Sequence, residues 1–216
     1  MITGSTHKTF FGTQRGIVAA DFADDSERHQ ELWAAVNRRA FPGAVSNHHL
    51  GTLLGLLAAA IEMNTFKEQY QPVVIANAKA FAAALHDCGL NVAGDAAIGF
   101  TETHQVIVDV GYTQGPRIAR SLEENNIICN FQATPHEEGF TASGALRLGV
   151  AEMTRFGMQP EDFQTLAQLM ADVILHSKKV KEKTLELRQK HLDLKFSFNT
   201  NDMGTLMEEL YHLTKI

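Results

Sequence analysis

Near the start of the 216-residue chain, Thr6-His7-Lys8-Thr9 sets a lysine between hydroxyls and an imidazole, just ahead of the turn Gly12-Thr13-Gln14-Arg15-Gly16. A lysine held against a polar, partly desolvated surface acts as an amine nucleophile and forms a Schiff base with an aldehyde such as pyridoxal phosphate. Spacing alone does not separate such a lysine from one that is simply solvated near a terminus. The adjacent imidazoles His48-His49 are a weaker signal. Neighbours on a helix point about 100° apart and rarely chelate one ion together, so they read as a polar pair at a helix end and no metal is expected. Cys88 and Cys129 have neither metal nor redox spacing, and read as reduced, partly buried thiols.

The elements that must position these residues follow from the apolar pattern. Ile17-Val18-Ala19-Ala20, bounded by Gly16 and by Asp21, Asp24 and Asp25, reads as a buried strand with no partner strand before it. Asp24, Asp25 and Ser26 can cap a helix carrying Leu32, Trp33 and Val36 up to Phe41-Pro42-Gly43. Leu50, Leu53, Leu54, Leu57 and Ile61 mark a second helix, expected to be buried on several sides. Asn64-Thr65 would cap a third, running to about Cys88 with Pro72 inside it and Gly89 closing it. Beyond Gly89, strands are expected at Val106 to Val110, at Ile127-Ile128-Cys129, and from Ala145 to Val150, the last carrying Arg147, with a short helix from Arg117 to Glu124 between the first two. A long amphipathic helix starts at Pro160, and the lysine-rich segment Lys178 to Lys190 is expected to continue it, with Glu182 and Glu186 pairing among the lysines. Strands and helices in this order predict an α/β fold, a layer of short strands covered by helices.

Composition narrows the partners. The chain is 44% hydrophobic and 20% charged, an ordinary globular composition, and its net charge of −6 lacks the basic footprint that binding a phosphate backbone requires. Leu50 to Ile61, the longest apolar stretch, is interrupted by Gly51, Thr52 and Gly55 and falls short of the roughly 20 residues that cross a bilayer. The first residues lack the charged start and continuous apolar core of a signal peptide, so a cytoplasmic location is expected.

Several motifs in one order resemble the serine hydroxymethyltransferase family. Ser5-Thr6-His7-Lys8-Thr9 followed by Gly12 resembles its lysine motif, Phe41-Pro42-Gly43 its Phe-Pro-Gly turn, and Asn77-Ala78-Lys79-Ala80 with Leu85 its Asn-Ala-Lys-Ala-Leu helix. Thr103-His104-Gln105-Val106, Ser143-Gly144, Arg147-Leu148-Gly149 and Met153-Thr154-Arg155 with Gly157 continue the match through about residue 176. The resemblance implies the small C-terminal domain of a fold-type I pyridoxal-phosphate enzyme, a short mixed sheet covered by helices, plus a fragment of the large domain. It would make Lys8 the Schiff-base lysine, His7 and Thr6 its hydrogen-bonding neighbours, and Arg147 the clamp on the amino-acid carboxylate, with Arg155 in support. An arginine suits that task because its planar fork makes two parallel bonds to a carboxylate and keeps its charge. Ser46 and Asn47 stand where the family's glycines reach the cofactor phosphate of a neighbouring subunit, and His48-His49 lies beside them. The implied reaction is cleavage or formation of the Cα–Cβ bond of a β-hydroxy amino acid.

The departures point in their own direction. Gln132 replaces the asparagine that meets tetrahydrofolate in the family, Pro135-His136-Glu137-Glu138 replaces its Pro-Asn-Asp-Pro loop, and the arginine of the glycine-rich turn is displaced by one. Gln132 and the altered loop weigh against folate, while Ser46-Asn47, Thr103-His104-Gln105-Val106 and Arg147-Leu148-Gly149-Val150 resemble more closely the threonine transaldolase branch of the same superfamily. The family's upstream half, with most large-domain strands and phosphate contacts, has no counterpart here. The chain is therefore expected to be a C-terminal half, inactive alone, that works as a homodimer or with its N-terminal half. A non-catalytic remnant acting in dimerisation or partner binding is the competing expectation. The expected divisions are 1–45 for the large-domain remnant, 46–194 for the small domain and 195–216 for a C-terminal helical tail.

Overall fold

In the computed structural model, which describes residues 1–198, 204, 205, 207, 208, 211 and 212, the chain divides into two compact units, Met1–Thr65 and Phe66–Ile216. Much of the expected tail, 195–216, lies outside the described residues.

The first unit opens with a hairpin of β1 (Ile2–His7) and β2 (Phe11–Ala19), paired antiparallel with Ile2 opposite Ala19 and His7 opposite Phe11. The strand expected at Ile17 thus exists and has a partner, the preceding β1, in which Thr3, Gly4 and Ser5 give no apolar alternation. It is not buried: Ile17 is 51% and Val18 41% exposed. Helix α1 (Glu27–Arg38) follows Ser26, whose backbone N–H donates to Asp24 at 3.0 Å. None of its residues is buried, Leu32 and Trp33 included.

Helix α2 (Leu50–Asp87) is continuous where two helices were expected. Thr65 does not cap a new helix; its hydroxyl donates to the Ile61 carbonyl at 2.9 Å, one turn back, which leaves the helical ladder intact. Pro72 is accommodated inside it. Leu50, Leu53, Leu54, Leu57 and Ile61, expected to be buried, are all about half exposed, between 49% and 62%. Gly89, at φ +88°, ends the helix as expected, its N–H donating to the His86 carbonyl and that of Leu90 to the Leu85 carbonyl.

The second unit is built on a four-stranded sheet, β3 (Asn91–Val92), β4 (Gln105–Asp109), β5 (Asn130–Gln132) and β6 (Ala145–Gly149), in the order β3-β4-β6-β5 with every pairing antiparallel. Period-two alternation sets its two faces. Val106, Val108, Leu146 and Leu148 are buried, while Ile107 and Arg147, paired across β4 and β6, lie half-buried on the other face. Packed with the buried face's residues in the core are Phe81, Leu85 and Val74 of α2, Ile118 and Leu122 of α3 (Gly115–Glu123), and Phe163 and Met170 of α5 (Pro160–His176). Each such side chain contributes roughly 1.5–3 kcal/mol by leaving water.

Two expected elements fall elsewhere. Ile127-Ile128-Cys129 forms no strand, because Asn126 turns left-handed at φ +62° and the Ile127 N–H donates to the Leu122 carbonyl, so these residues close α3 and the strand begins only at Asn130. The lysine-rich segment does not prolong α5. Ser177, at φ +53°, ends that helix, Lys178 turns back to Asp172 at 2.9 Å, and Val180 N–H donates to Asn125 at 2.7 Å before α6 (Lys181–Gln189) starts afresh.

Buried polar groups tie α2 to the turn after β6. Asn77, fully buried, donates its amide hydrogens to the Thr154 hydroxyl and the Met158 carbonyl, both at 2.9 Å, and Thr154 donates to the Val150 carbonyl at 2.8 Å. Tyr70 donates to the Ala151 carbonyl at 3.1 Å, its phenol pushed up to about 12 by burial and so held protonated. Asn77→Ala is expected to lower unfolding free energy by about 1–3 kcal/mol, since it strands the Met158 carbonyl, and Tyr70→Phe by about 1 kcal/mol. Urea midpoints of the two variants test this order.

Candidate active site

In the first unit the β1–β2 turn presents His7 and Lys8 to solvent, and Lys8 has no hydrogen-bond or ion-pair partner among the described residues. Thr6 differs: at 5% exposure it is buried, and its hydroxyl donates to the carbonyls of Thr13 at 2.7 Å and Arg15 at 3.1 Å. Thr6 therefore braces the hairpin that carries the lysine. The hairpin is seated on the start of α2 by close backbone approach. A Cβ at Gly12 would come within 2.8 Å of Leu56 Cδ1 and within 2.7 Å of the Thr6 carbonyl, and one at Gly55 within 2.7 Å of Thr13 Cγ2. Across this contact Thr13 donates to the Thr52 carbonyl at 2.6 Å, and the Arg15 guanidinium donates to the His49 carbonyl and the Thr52 hydroxyl.

That arrangement brings the segment Ser46-Asn47-His48-His49, exposed and just ahead of α2, beside β2. The Asn47 side-chain oxygen accepts from the His48 N–H at 2.8 Å, and its amide hydrogens have no partner among the described residues. Arg15, displaced by one from the family's glycine-rich turn, is thus the residue that joins the lysine hairpin to this segment.

In the second unit Arg147 occupies the middle of β6, opposite Ile107 on one side and Asn130 on the other. Its guanidinium has no hydrogen-bond or ion-pair partner among the described residues. Cross-strand pairing places Gln132 opposite Ala145, two residues along and on the same face as Arg147. Arg155, expected to lend support, lies in α4 (Ala151–Arg155), where its carbonyl accepts from the Lys195 N–H at 2.7 Å and its charge acts on the Tyr70 phenol.

Glu137 carried no expected role. Its carboxylate accepts from the Thr134 N–H at 2.6 Å and the Gly144 N–H at 3.2 Å, and those backbone bonds hold the carboxyl below the usual glutamate range. Its only sequence signal was the replacement of the Pro-Asn-Asp-Pro loop. The cysteines are poor nucleophiles. Cys129 lines a cavity of about 530 Å³ with Ile127, Leu148 and Met153, and burial pushes its thiol up to about 11. Among the described residues no cluster of three or more His, Cys, Asp or Glu could hold a metal, and no helix is long and apolar enough to cross a membrane.

The fold defines the class. Small sheets with helices packed on them form the mixed α/β architecture of a fold-type I pyridoxal-phosphate enzyme, and the crystal structure of L-threonine transaldolase from Pseudomonas fluorescens in internal aldimine state matches it with a TM-score of 0.83 and 30% identity, over 95% of this chain and 47% of that one. The family model for serine hydroxymethyltransferase matches residues 1–170, and the chain belongs to that family. Serine hydroxymethyltransferase from Archaeoglobus fulgidus is 43% identical over 215 residues, 98% of this chain and 46% of the relative. That from Sulfolobus acidocaldarius is 38% identical over 219 residues, 99% and 49% of the respective chains. The chain thus spans a little under half the length of these curated relatives.

The Glu137 geometry generates a pH dependence. Its folded-state pKa lies below the unfolded one, so its contribution is complete above the ordinary glutamate value and is lost as pH falls through the lowered one. The backbone amide resonances of Thr134 and Gly144 should titrate together with a midpoint below the ordinary glutamate pKa, and Glu137→Gln should abolish that titration.

Proposed function

We propose that the chain is the C-terminal portion of a pyridoxal-phosphate enzyme of the serine hydroxymethyltransferase type, which cleaves or forms the Cα–Cβ bond of a β-hydroxy amino acid and requires an N-terminal half for activity. The observation that carries the reading is Arg147, a half-buried residue in the middle of β6 whose guanidinium has no protein partner among the described residues. An arginine placed so is free to meet a carboxylate. Residues 1–45 belong to the cofactor-binding large domain in this proposal and 46–194 to the small domain; the compact units divide at Thr65, inside α2.

The residues present fit part of a cofactor site. Lys8 offers an amine with no partner among the described residues at an exposed turn, and Ser46 and the Asn47 amide, held near β2 through Arg15, offer donors to the phosphate of a neighbouring subunit's cofactor. Bound there, pyridoxal phosphate supplies the electron sink that lets bonds at the amino-acid α-carbon break. Lys8 would hold the cofactor through its amine, and His7 would order the polar surface beside it. Thr6 acts one step behind, fixing the turn through the Thr13 and Arg15 carbonyls. Arg147 would bind the substrate carboxylate through two parallel hydrogen bonds and set the torsion about the Cα bond that breaks.

The exposed apolar residues of the first unit, Ile17, Val18, Leu50, Leu53, Leu54 and Leu57, support the need for a further half, since they are surface that a larger core would cover. The isolated chain is accordingly expected to bind pyridoxal phosphate weakly. A tight, borohydride-reducible linkage at Lys8 in the isolated chain would overturn that part.

A second reading, an aldehyde-exchanging enzyme of the threonine transaldolase type that works without folate, is favoured by the solved structure it resembles and by Gln132 in place of the folate-contacting asparagine. With the N-terminal half present, glycine formation from serine with tetrahydrofolate is compared with aldehyde exchange from threonine without it; neither activity would overturn both readings and leave the non-catalytic remnant. Arg147→Lys should lower kcat/KM by roughly 10- to 100-fold, because an ammonium cannot reproduce the paired, charge-assisted bonds.

A further inference from the structure

The connection between β5 and β6 is closed at its neck by one carboxylate to which the reaction gives no part. Glu137 accepts from the Thr134 N–H at 2.6 Å and the Gly144 N–H at 3.2 Å, and its own N–H returns to the Thr134 carbonyl at 3.1 Å. Thr134 lies just past the end of β5 and Gly144 immediately precedes β6. The last rung of that ladder pairs Gln132 with Ala145, so the carboxylate acts as one further rung, joining the two strands beyond the point where their own hydrogen bonds stop.

The need for it follows from how little else holds β5. It is an edge strand of three residues, paired on one side only, with rungs at Asn130–Arg147, Phe131–Leu146 and Gln132–Ala145. Such short edges fray readily. The entry to β6 is fixed from the opposite direction. Val110 N–H donates to the Gly144 carbonyl at 2.8 Å and Gly115 N–H to the Ser143 carbonyl at 2.9 Å, and a Cβ at Gly144 would come within 2.9 Å of the Gly111 carbonyl. Gly144 is therefore pressed between the Val110–Gly111 segment that follows β4 and Glu137, while Val150 and Ala151, just beyond the other end of β6, are held by Thr154 and Tyr70. Arg147 lies midway between these two anchorages, and its own side chain has no tether among the described residues. The backbone alone determines where its guanidinium starts.

We propose that Glu137 is a positioning residue, which holds β5 in register against β6 and so fixes Arg147, opposite Asn130, where it meets the substrate carboxylate. The inference rests on the carboxylate role given to Arg147 above. Glutamate suits the task because one ionised oxygen takes both backbone N–H groups, and charge-assisted bonds of this kind are about twice as strong as neutral ones. Glutamine keeps an acceptor oxygen of the same reach, so Glu137→Gln retains the geometry with weaker bonds, and Glu137→Ala removes them.

The test uses the chain together with its N-terminal half, and compares wild type, Glu137→Gln and Glu137→Ala. Glu137→Ala should raise KM for the amino acid about tenfold with kcat within about twofold, and Glu137→Gln should restore most of the affinity. Amide exchange at residues 130–132 and 145–147 should quicken about tenfold in Glu137→Ala while the rest of the second unit keeps its protection. Wild-type KM in Glu137→Ala despite quickened exchange would make the carboxylate a loop staple only, and unchanged exchange would remove the rung itself; either overturns the inference. An inactive wild-type protein is a different failure, that of the proposed function. Should Glu137→Ala not fold, Glu137→Gln decides: a KM raised about threefold with unchanged kcat supports the role, and a wild-type KM overturns it.

Discussion

The second unit is organised around a buried amide. Asn77 has no access to water, so both its hydrogens must find acceptors inside the protein, and it finds them in Thr154 and Met158, on the segment that follows β6. Because Thr154 in turn holds the Val150 carbonyl and Tyr70 the Ala151 carbonyl, the same set of bonds fixes where β6 ends relative to α2. Polar pairs of this kind tolerate little displacement, unlike apolar contacts, which can slide. The end of the strand that carries Arg147 is thereby fixed directly to the longest helix in the protein.

A different constraint governs the first unit, where backbone approach replaces core packing. Gly12 and Gly55 remove the Cβ atoms that would hold the hairpin away from α2, and Arg15 and Thr13 then bridge the two across that contact. Few of its apolar residues are buried, so its shape depends on these specific bonds. In the function proposed here that is reasonable for a segment whose task is to present one lysine at a turn, with its apolar surface completed by the rest of a longer enzyme.

The chemistry proposed divides along the same line. The lysine hairpin belongs to the first unit and the carboxylate clamp to the second, each with its own means of fixation. Two departures from the family pattern lie beside the proposed clamp, where Gln132 shares its sheet face and the altered loop supplies Glu137, and two more, Arg15 and Ser46-Asn47, lie in the first unit.

Motif and periodicity in the sequence determined a good deal: the family, the α/β class, the strands at Val106 and Ala145, the helices from Arg117 and Pro160, and the stop at Gly89. These are local signals, in which side-chain alternation, capping and the φ of a glycine decide the outcome over a few residues. Tertiary structure decided the rest. Asn64-Thr65 has the composition of a cap, yet α2 runs straight through it, since Thr65 satisfies its hydroxyl on the Ile61 carbonyl. Ile127 to Cys129 looks like a strand but closes α3, because the Ile127 N–H finds the Leu122 carbonyl first. The leucines before Ile61 have the pattern of a buried helix and remain exposed, since periodicity says which residues share a face and nothing about what covers it. The roles of Thr6, Arg15, Asn77 and Glu137 rest on hydrogen bonds to backbone groups 7 to 81 residues away, or to backbone brought close by a turn, and a backbone partner, carbonyl or N–H, leaves no residue type in the sequence by which to recognise it.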